Sequence, residues 1–328
     1  MATFMNASPP GPFSPDFTIC GAPDLILRSS NSIDFYTHKA VLALVSPVFR
    51  DMFEFPAPTD TLVEGVDIRN GIPVVQLSET SGAIRQLLLL CYPPALHNEQ
   101  IKDIDGLYLA HAAADKYQMP AARAAIEYAF TNAVKKEPYR VYAIACHLRL
   151  ESLAKEAAWE TLKDVYRPKG QKYKHPEFEL IPAGRIMDLH TFHQECGEKA
   201  GAVMSNYQSL DNFEAQELLG DGPYPPWWTD EDHDDQCGAY HTGPDDDYYS
   251  PAPWFVDLMD RVSDALQLRP AGETAANVVL NYGGKISGIA ACKLCANDAP
   301  KYLAEFAETL RKEVDLKNKL ELNTWKVL

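Results

Sequence analysis

The strand signal in this chain ends early, and that limits the folds open to it. Two short apolar runs, Asp24-Leu25-Ile26-Leu27-Arg28 and Ile33-Asp34-Phe35-Tyr36-Thr37, flank four small polar residues, Ser29-Ser30-Asn31-Ser32. Runs of that length around a polar turn predict a hairpin. From His38 to Val45 the apolar spacing becomes helical, and Ser46-Pro47 interrupts it: proline disfavours the helical region for the residue before it and is welcome in the first turn of the next helix, 48–53. Residues 56–70 read as a polar, breaker-rich loop, 74–77 as one further strand and 81–91 as a helix. Beyond that point the pattern is almost wholly helical: two helices within 101–134, then 139–150, 153–165, 181–196 with a continuation towards 207, 254–268, and a terminal helix from Pro300. The expected class is α+β, a small sheet flanked by a helical cluster and followed by a mostly helical C-terminal region.

Of 328 residues, 46% are hydrophobic and 23% charged, enough to build a sizeable core without disulfide staples. Lys and Arg number 30 against 46 Asp and Glu, a formal charge of -16 that would repel nucleic acid and anionic membranes. The start lacks the basic region and apolar run of an export signal, no apolar segment is long enough to span a membrane, and the seven cysteines are few and odd in number. The cytoplasm or nucleus is the expected compartment. The expected organisation is a flexible segment over 1–20, a mixed domain over 21–133, a helical extension over 134–168 and a helical domain over 169–328. The last contains an irregular acidic, Trp-containing stretch at 220–253, far longer than ordinary connections.

Metal binding is the one chemical constellation in the sequence. Cys292 and Cys295 have the spacing that turns two thiolates into one tetrahedral site; Cys237 and His241 form a second half-site, and His193 with Cys196 a third. One structural zinc held by Cys237, His241, Cys292 and Cys295 is the candidate cofactor, with Cys196 or His193 as substitutes. The alternative is that these cysteines pack as small hydrophobes and His241 is an exposed loop residue. The acidic runs Asp230-Glu231-Asp232 and Asp245-Asp246-Asp247 lack the ligand spacing of a calcium loop and read as solvated charge.

No phosphate-binding glycine loop, Gly-x-Ser-x-Gly or His-Glu-x-x-His occurs, so no catalytic residues are assigned and the chain is not expected to be an enzyme. The remote alternative is a metal-dependent hydrolase using His190 and His193 near Asp188 and Glu195. Candidate contact side chains are Phe53, Phe55, Pro56, Tyr139, Tyr142, Trp227 and Trp228, since aromatics bury large area at modest entropic cost. Core packing is the favoured account of Phe53 and Tyr142, and the tryptophan pair would equally fit a seam between helices.

Three segments carry a resemblance: Asp24-Leu25-Ile26-Leu27, then Phe35-x-x-His38-Lys39-Ala40-Val41-Leu42, then Ser46-Pro47-Val48-Phe49-Arg50-Asp51-Met52-Phe53. With Pro73-Val74-Val75-Gln76-Leu77 and Leu107 to Met119, they resemble the BTB/POZ domain over about residues 20 to 133. Leu90-Cys91-Tyr92-Pro93 and Arg140 to Cys146 further resemble an expanded group of BTB proteins of mushroom-forming fungi. The resemblance implies the BTB/POZ fold and a noncatalytic protein-interaction adaptor. Its implied partner is another protein, often a cullin ubiquitin ligase scaffold, or a second copy in a homodimer acting in transcription or scaffolding. Neither nucleic acid nor membrane is expected.

Overall fold

A computed structural model describes residues 13–16, 21–54, 67–97, 104–165, 175–205, 237, 240–242, 248–250, 252–282, 287–290 and 292–327. The chain divides into two compact units, Met1–Lys136 and Glu137–Leu328.

In the first unit, β1 (Leu25–Arg28) and β2 (Asp34–Thr37) form the hairpin expected, antiparallel with Leu27 opposite Phe35. Ser29 closes its turn, accepting the Ile33 N–H at 2.9 Å, and Ser32 takes a left-handed φ of 62°. Two further strands, β3 (Asp67–Arg69) and β4 (Ile72–Gln76), complete a sheet in the order β2-β1-β4-β3, with β4 parallel to β1. The loop expected over 56–70 therefore ends in a strand. Asn70 and Gly71, at φ 53° and 82°, make the tight turn between β3 and β4 that needs positive φ at both positions. The signal was present, but β3 has no apolar alternation to accompany it.

Local chemistry starts the helices of this unit. The Asp24 carboxylate accepts the Lys39 N–H at 2.8 Å, satisfying one orphan donor of α1 (Lys39–Val45). Ser46 Oγ accepts the Phe49 N–H at 3.1 Å at the start of α2 (Pro47–Glu54) and donates to the Tyr117 carbonyl at 2.6 Å. Three more helices, α3 (Ser81–Cys91), α4 (Leu107–Lys116) and α5 (Pro120–Ala133), bury Leu88, Leu107, Ile126 and Phe130. Phe13, inside the segment expected to be flexible, is also buried. Its ring meets Tyr92 edge-on at 5.4 Å and its carbonyl accepts the Tyr36 N–H at 2.9 Å.

The second unit opens with α6 (Pro138–Leu148) and α7 (Glu151–Thr161). Then come α8 (Ala183–Ser205), the hairpin of β5 (Tyr240–Thr242) and β6 (Tyr248–Ser250), α9 (Pro253–Leu268), α10 (Gly272–Tyr282), α11 (Ser287–Ala290) and α12 (Lys293–Thr324). Helix α6 is buried from Pro138 to Cys146, and side-chain bonds tie it to later parts of the unit. Arg140 donates to Glu177 at 2.6 Å, and the Tyr142 hydroxyl donates to the Arg185 carbonyl at 2.8 Å. Trp325, just past α12, stacks on Phe192 of α8 at 4.6 Å.

In the second unit β5, β6, α10 and α11 lie beyond the sequence expectation, and α12 starts earlier than expected. Helix α10 was not expected, because Gly272, Thr274, Val278 and Val279 are weak helix formers; burial of Ala275 and Val279 supplies what propensity lacks. The terminal helix begins at Lys293 rather than Pro300, which lies inside it. Proline withholds one helical N–H, and the burial of Ala299, Leu303 and Phe306 along the same helix outweighs that loss. No helix among the described residues is long and apolar enough to cross a membrane.

Candidate functional site

Cys292 is the N-cap residue of α12 and Cys295 lies in its first turn, so the helix start sets their spacing. The chain returns Cys237 to the same place: the three sulfurs lie within 4.8 Å of one another, and Cys237 Sγ is 3.6 Å from Cys295 Sγ. All three are buried, at 5%, 0% and 1% exposure, in a core that also holds Phe255, Met259, Val262, Phe306 and Leu310. Burial pushes the Cys295 thiol well above its ordinary pKa, and the neighbouring Trp254 side chain opposes that shift. Trp254 is the first aromatic of α9, and periodicity marks it only as a helix residue.

Three of the four preferred ligand residues are thus together. The side chain of the fourth, His241, lies outside the described residues, although its backbone sits in β5 opposite Tyr249. The substitutes are engaged elsewhere. His193 Nε2 is 2.7 Å from Thr161 Oγ1 in a buried pair, and Cys196 is buried on α8 with its thiol pushed up to about 12 by burial. Neither joins the sulfur cluster, because their helix presents them to other neighbours.

The candidate contact residues divide in the same way. Tyr139 and Tyr142 are buried, and Tyr142 holds the Arg185 carbonyl, so both are packing residues of the second unit rather than surface contacts. Phe53 is half-buried, stacked on Phe49 with Lys39 above it. Phe55, Pro56, Trp227, Trp228 and both acidic runs lie outside the described residues.

A surface residue that the sequence did not single out is Leu44, on α1, 84% exposed. It lines a groove of about 550 Å³ with Val45, Pro47, Ala114, Met119 and Pro120, and Arg50, Asp115 and Arg123 also border it. The helical spacing of 38–45 marks Leu44 as apolar, but not which apolar positions face solvent.

His38 is accounted for by structure. Its Nε2 lies 3.2 Å from the Gly21 carbonyl, which can only accept, so the proton belongs on Nε2; Nδ1 then accepts the Tyr92 hydroxyl at 3.1 Å. The histidine ties the strand entry and the end of α3 into one buried network.

A small sheet with a parallel pair at its centre, helices capped by Asp24 and Ser46, and an exposed apolar groove define an α+β domain of the interaction type. Comparison with family models matches residues 21–133 to the BTB/POZ domain, so this part of the chain is a BTB/POZ domain, a protein-interaction module. Such domains mediate protein–protein interaction and dimerisation. No curated protein matches the chain.

Proposed function

We propose that the protein is a noncatalytic adaptor acting in the cytoplasm or nucleus, whose BTB face captures one protein partner while its helical C-terminal unit presents a separate surface. The observation that carries this reading is Leu44: an exposed branched apolar side chain beside an apolar groove with charged edges has the composition of an interaction surface with a polar rim. A cullin ubiquitin ligase scaffold is the proposed partner, supported by the helical pair α6 and α7 that directly follows the domain. Self-association is the second reading, favoured by the position of Leu44 on α1, the first helix of the domain.

Sedimentation velocity of the full chain, alone and with a purified cullin N-terminal domain, tests both. The adaptor reading expects a monomer that binds the cullin, with Leu44→Asp weakening binding at least tenfold, about 1.4 kcal/mol. A dimer dissociated by Leu44→Asp would establish the second reading. A monomer without cullin affinity, or association indifferent to Leu44→Asp, would overturn the proposal for this face.

A further inference from the structure

The cluster of Cys237, Cys292 and Cys295 has no part in that interaction reading. We propose that it is a structural metal site for one zinc-class divalent cation, with the three sulfurs occupying three of its four positions.

The distances fit. Thiolates bound tetrahedrally at about 2.3 Å from zinc stand roughly 3.8 Å apart. Here one pair is at 3.6 Å and every pair is under 4.8 Å. A disulfide would need about 2.05 Å between the sulfurs, so the cluster is spread for an ion between them rather than closed on a bond.

Position adds an independent reason. Cys292 occupies a helix N-cap, where Ser, Thr, Asp or Asn normally accepts a backbone N–H, yet its side chain makes no capping bond. A thiol in that position gives up capping and keeps its sulfur directed elsewhere. Helix α12 is 32 residues long, and its N-terminal dipole favours negative charge at its start. Binding converts three S–H groups and one M²⁺ into a tris-thiolate unit of charge -1, with three protons leaving to solvent. Negative charge would then rest at the positive end of the helix.

Simple packing of cysteines as small hydrophobes explains their burial. It gives no reason for three of them to converge from Cys237 and the start of α12. A metal joining these points would pin Cys237 to the start of the terminal helix. It would act on stability rather than chemistry.

Native mass spectrometry of the full chain, purified under reducing conditions, gives the direct test. One zinc per chain is expected, lost in Cys237→Ser, Cys292→Ser and Cys295→Ser but kept in Cys196→Ser, whose buried thiol lies outside the cluster. Because the three variants could fail to fold, a Co²⁺ titration of the chelator-treated wild-type chain supplies a second readout. Saturation at one equivalent, with thiolate-to-cobalt charge transfer and tetrahedral ligand-field bands, is expected. A wild-type chain that carries no zinc and gives no such bands, or that shows a Cys237–Cys295 disulfide under the same reducing conditions, would overturn the site. Either result leaves the BTB interaction proposal untouched.

Discussion

Asp34 is a buried carboxylate at the start of β2, held by Arg28 at 2.6 and 3.1 Å and also by Arg69. Burial alone would raise its pKa, but the two guanidinium partners together outweigh that and hold it below the ordinary carboxylate range. Glu79, which accepts from Lys116 at 2.7 Å and Tyr117 at 2.6 Å, is lowered for the same reasons. A depressed carboxylate contributes stability that is present above its unfolded pKa, roughly 4, and lost as pH falls through its folded value. Thermal melting of the full chain should therefore show the BTB unit weakening below about pH 4. Asp34→Asn should cost about 3 kcal/mol at neutral pH, because it leaves two arginines beside a buried neutral amide, and should flatten that acid dependence. An unchanged acid slope in Asp34→Asn would remove Asp34 as its source. At this scale the sequence was informative where partners are close along the chain. Asp34 lies six residues from Arg28, across the hairpin that the sequence shows, whereas its second partner, Arg69, is 35 residues away. The sequence was uninformative where burial decides the role, as for Tyr139.

Among the elements, the helices of the second unit approach each other through glycines, and one contact gives a sharp expectation. A Cβ on Gly272, at the start of α10, would collide with the backbone carbonyl of Arg311 on α12. Backbone cannot swing aside as a side chain does, so Gly272→Ala should lower stability by roughly 2–3 kcal/mol. A methyl group on Gly184, in the first turn of α8, would meet nothing within 4 Å, and Gly184→Ala should raise stability by roughly 0.5 kcal/mol by restricting the unfolded chain. Denaturant melts of the two variants beside wild type check the pair, and equal effects would mean that the close approach at Gly272 does not hold in solution. The sequence showed most helices through periodicity and capping, including α3 with its observed bounds of Ser81–Cys91. It failed for α10, whose residues have weak intrinsic preference, and for the start of α12, where Pro300 has the look of a first-turn proline. In both cases burial of one helix face outweighs local propensity.

For the whole molecule, two separate buried cores imply that damage stays local. Arg140 and Glu177 form a buried pair in the second unit, at 7% and 2% exposure. Glu177→Gln should raise hydrogen exchange across α6 and α8 while sparing residues 21–54 and 67–97, and Asp34→Asn should do the reverse. Exchange rising in both units with either variant would show that they unfold together. The sequence by itself determined the first hairpin, most of the long helices, the acidic charge and the BTB/POZ signature. Asp24 and Ser46 act at helix starts through bonds to the backbone, and Pro47 through its fixed φ, and such chemistry is written in local order. Only the tertiary structure decided which apolar groups are covered and which distant residues meet. Periodicity marks a face as apolar without naming its neighbour, so the exposure of Leu44, the burial of Phe13 and the convergence of Cys237 with Cys292 and Cys295 depend on packing between segments far apart in the chain.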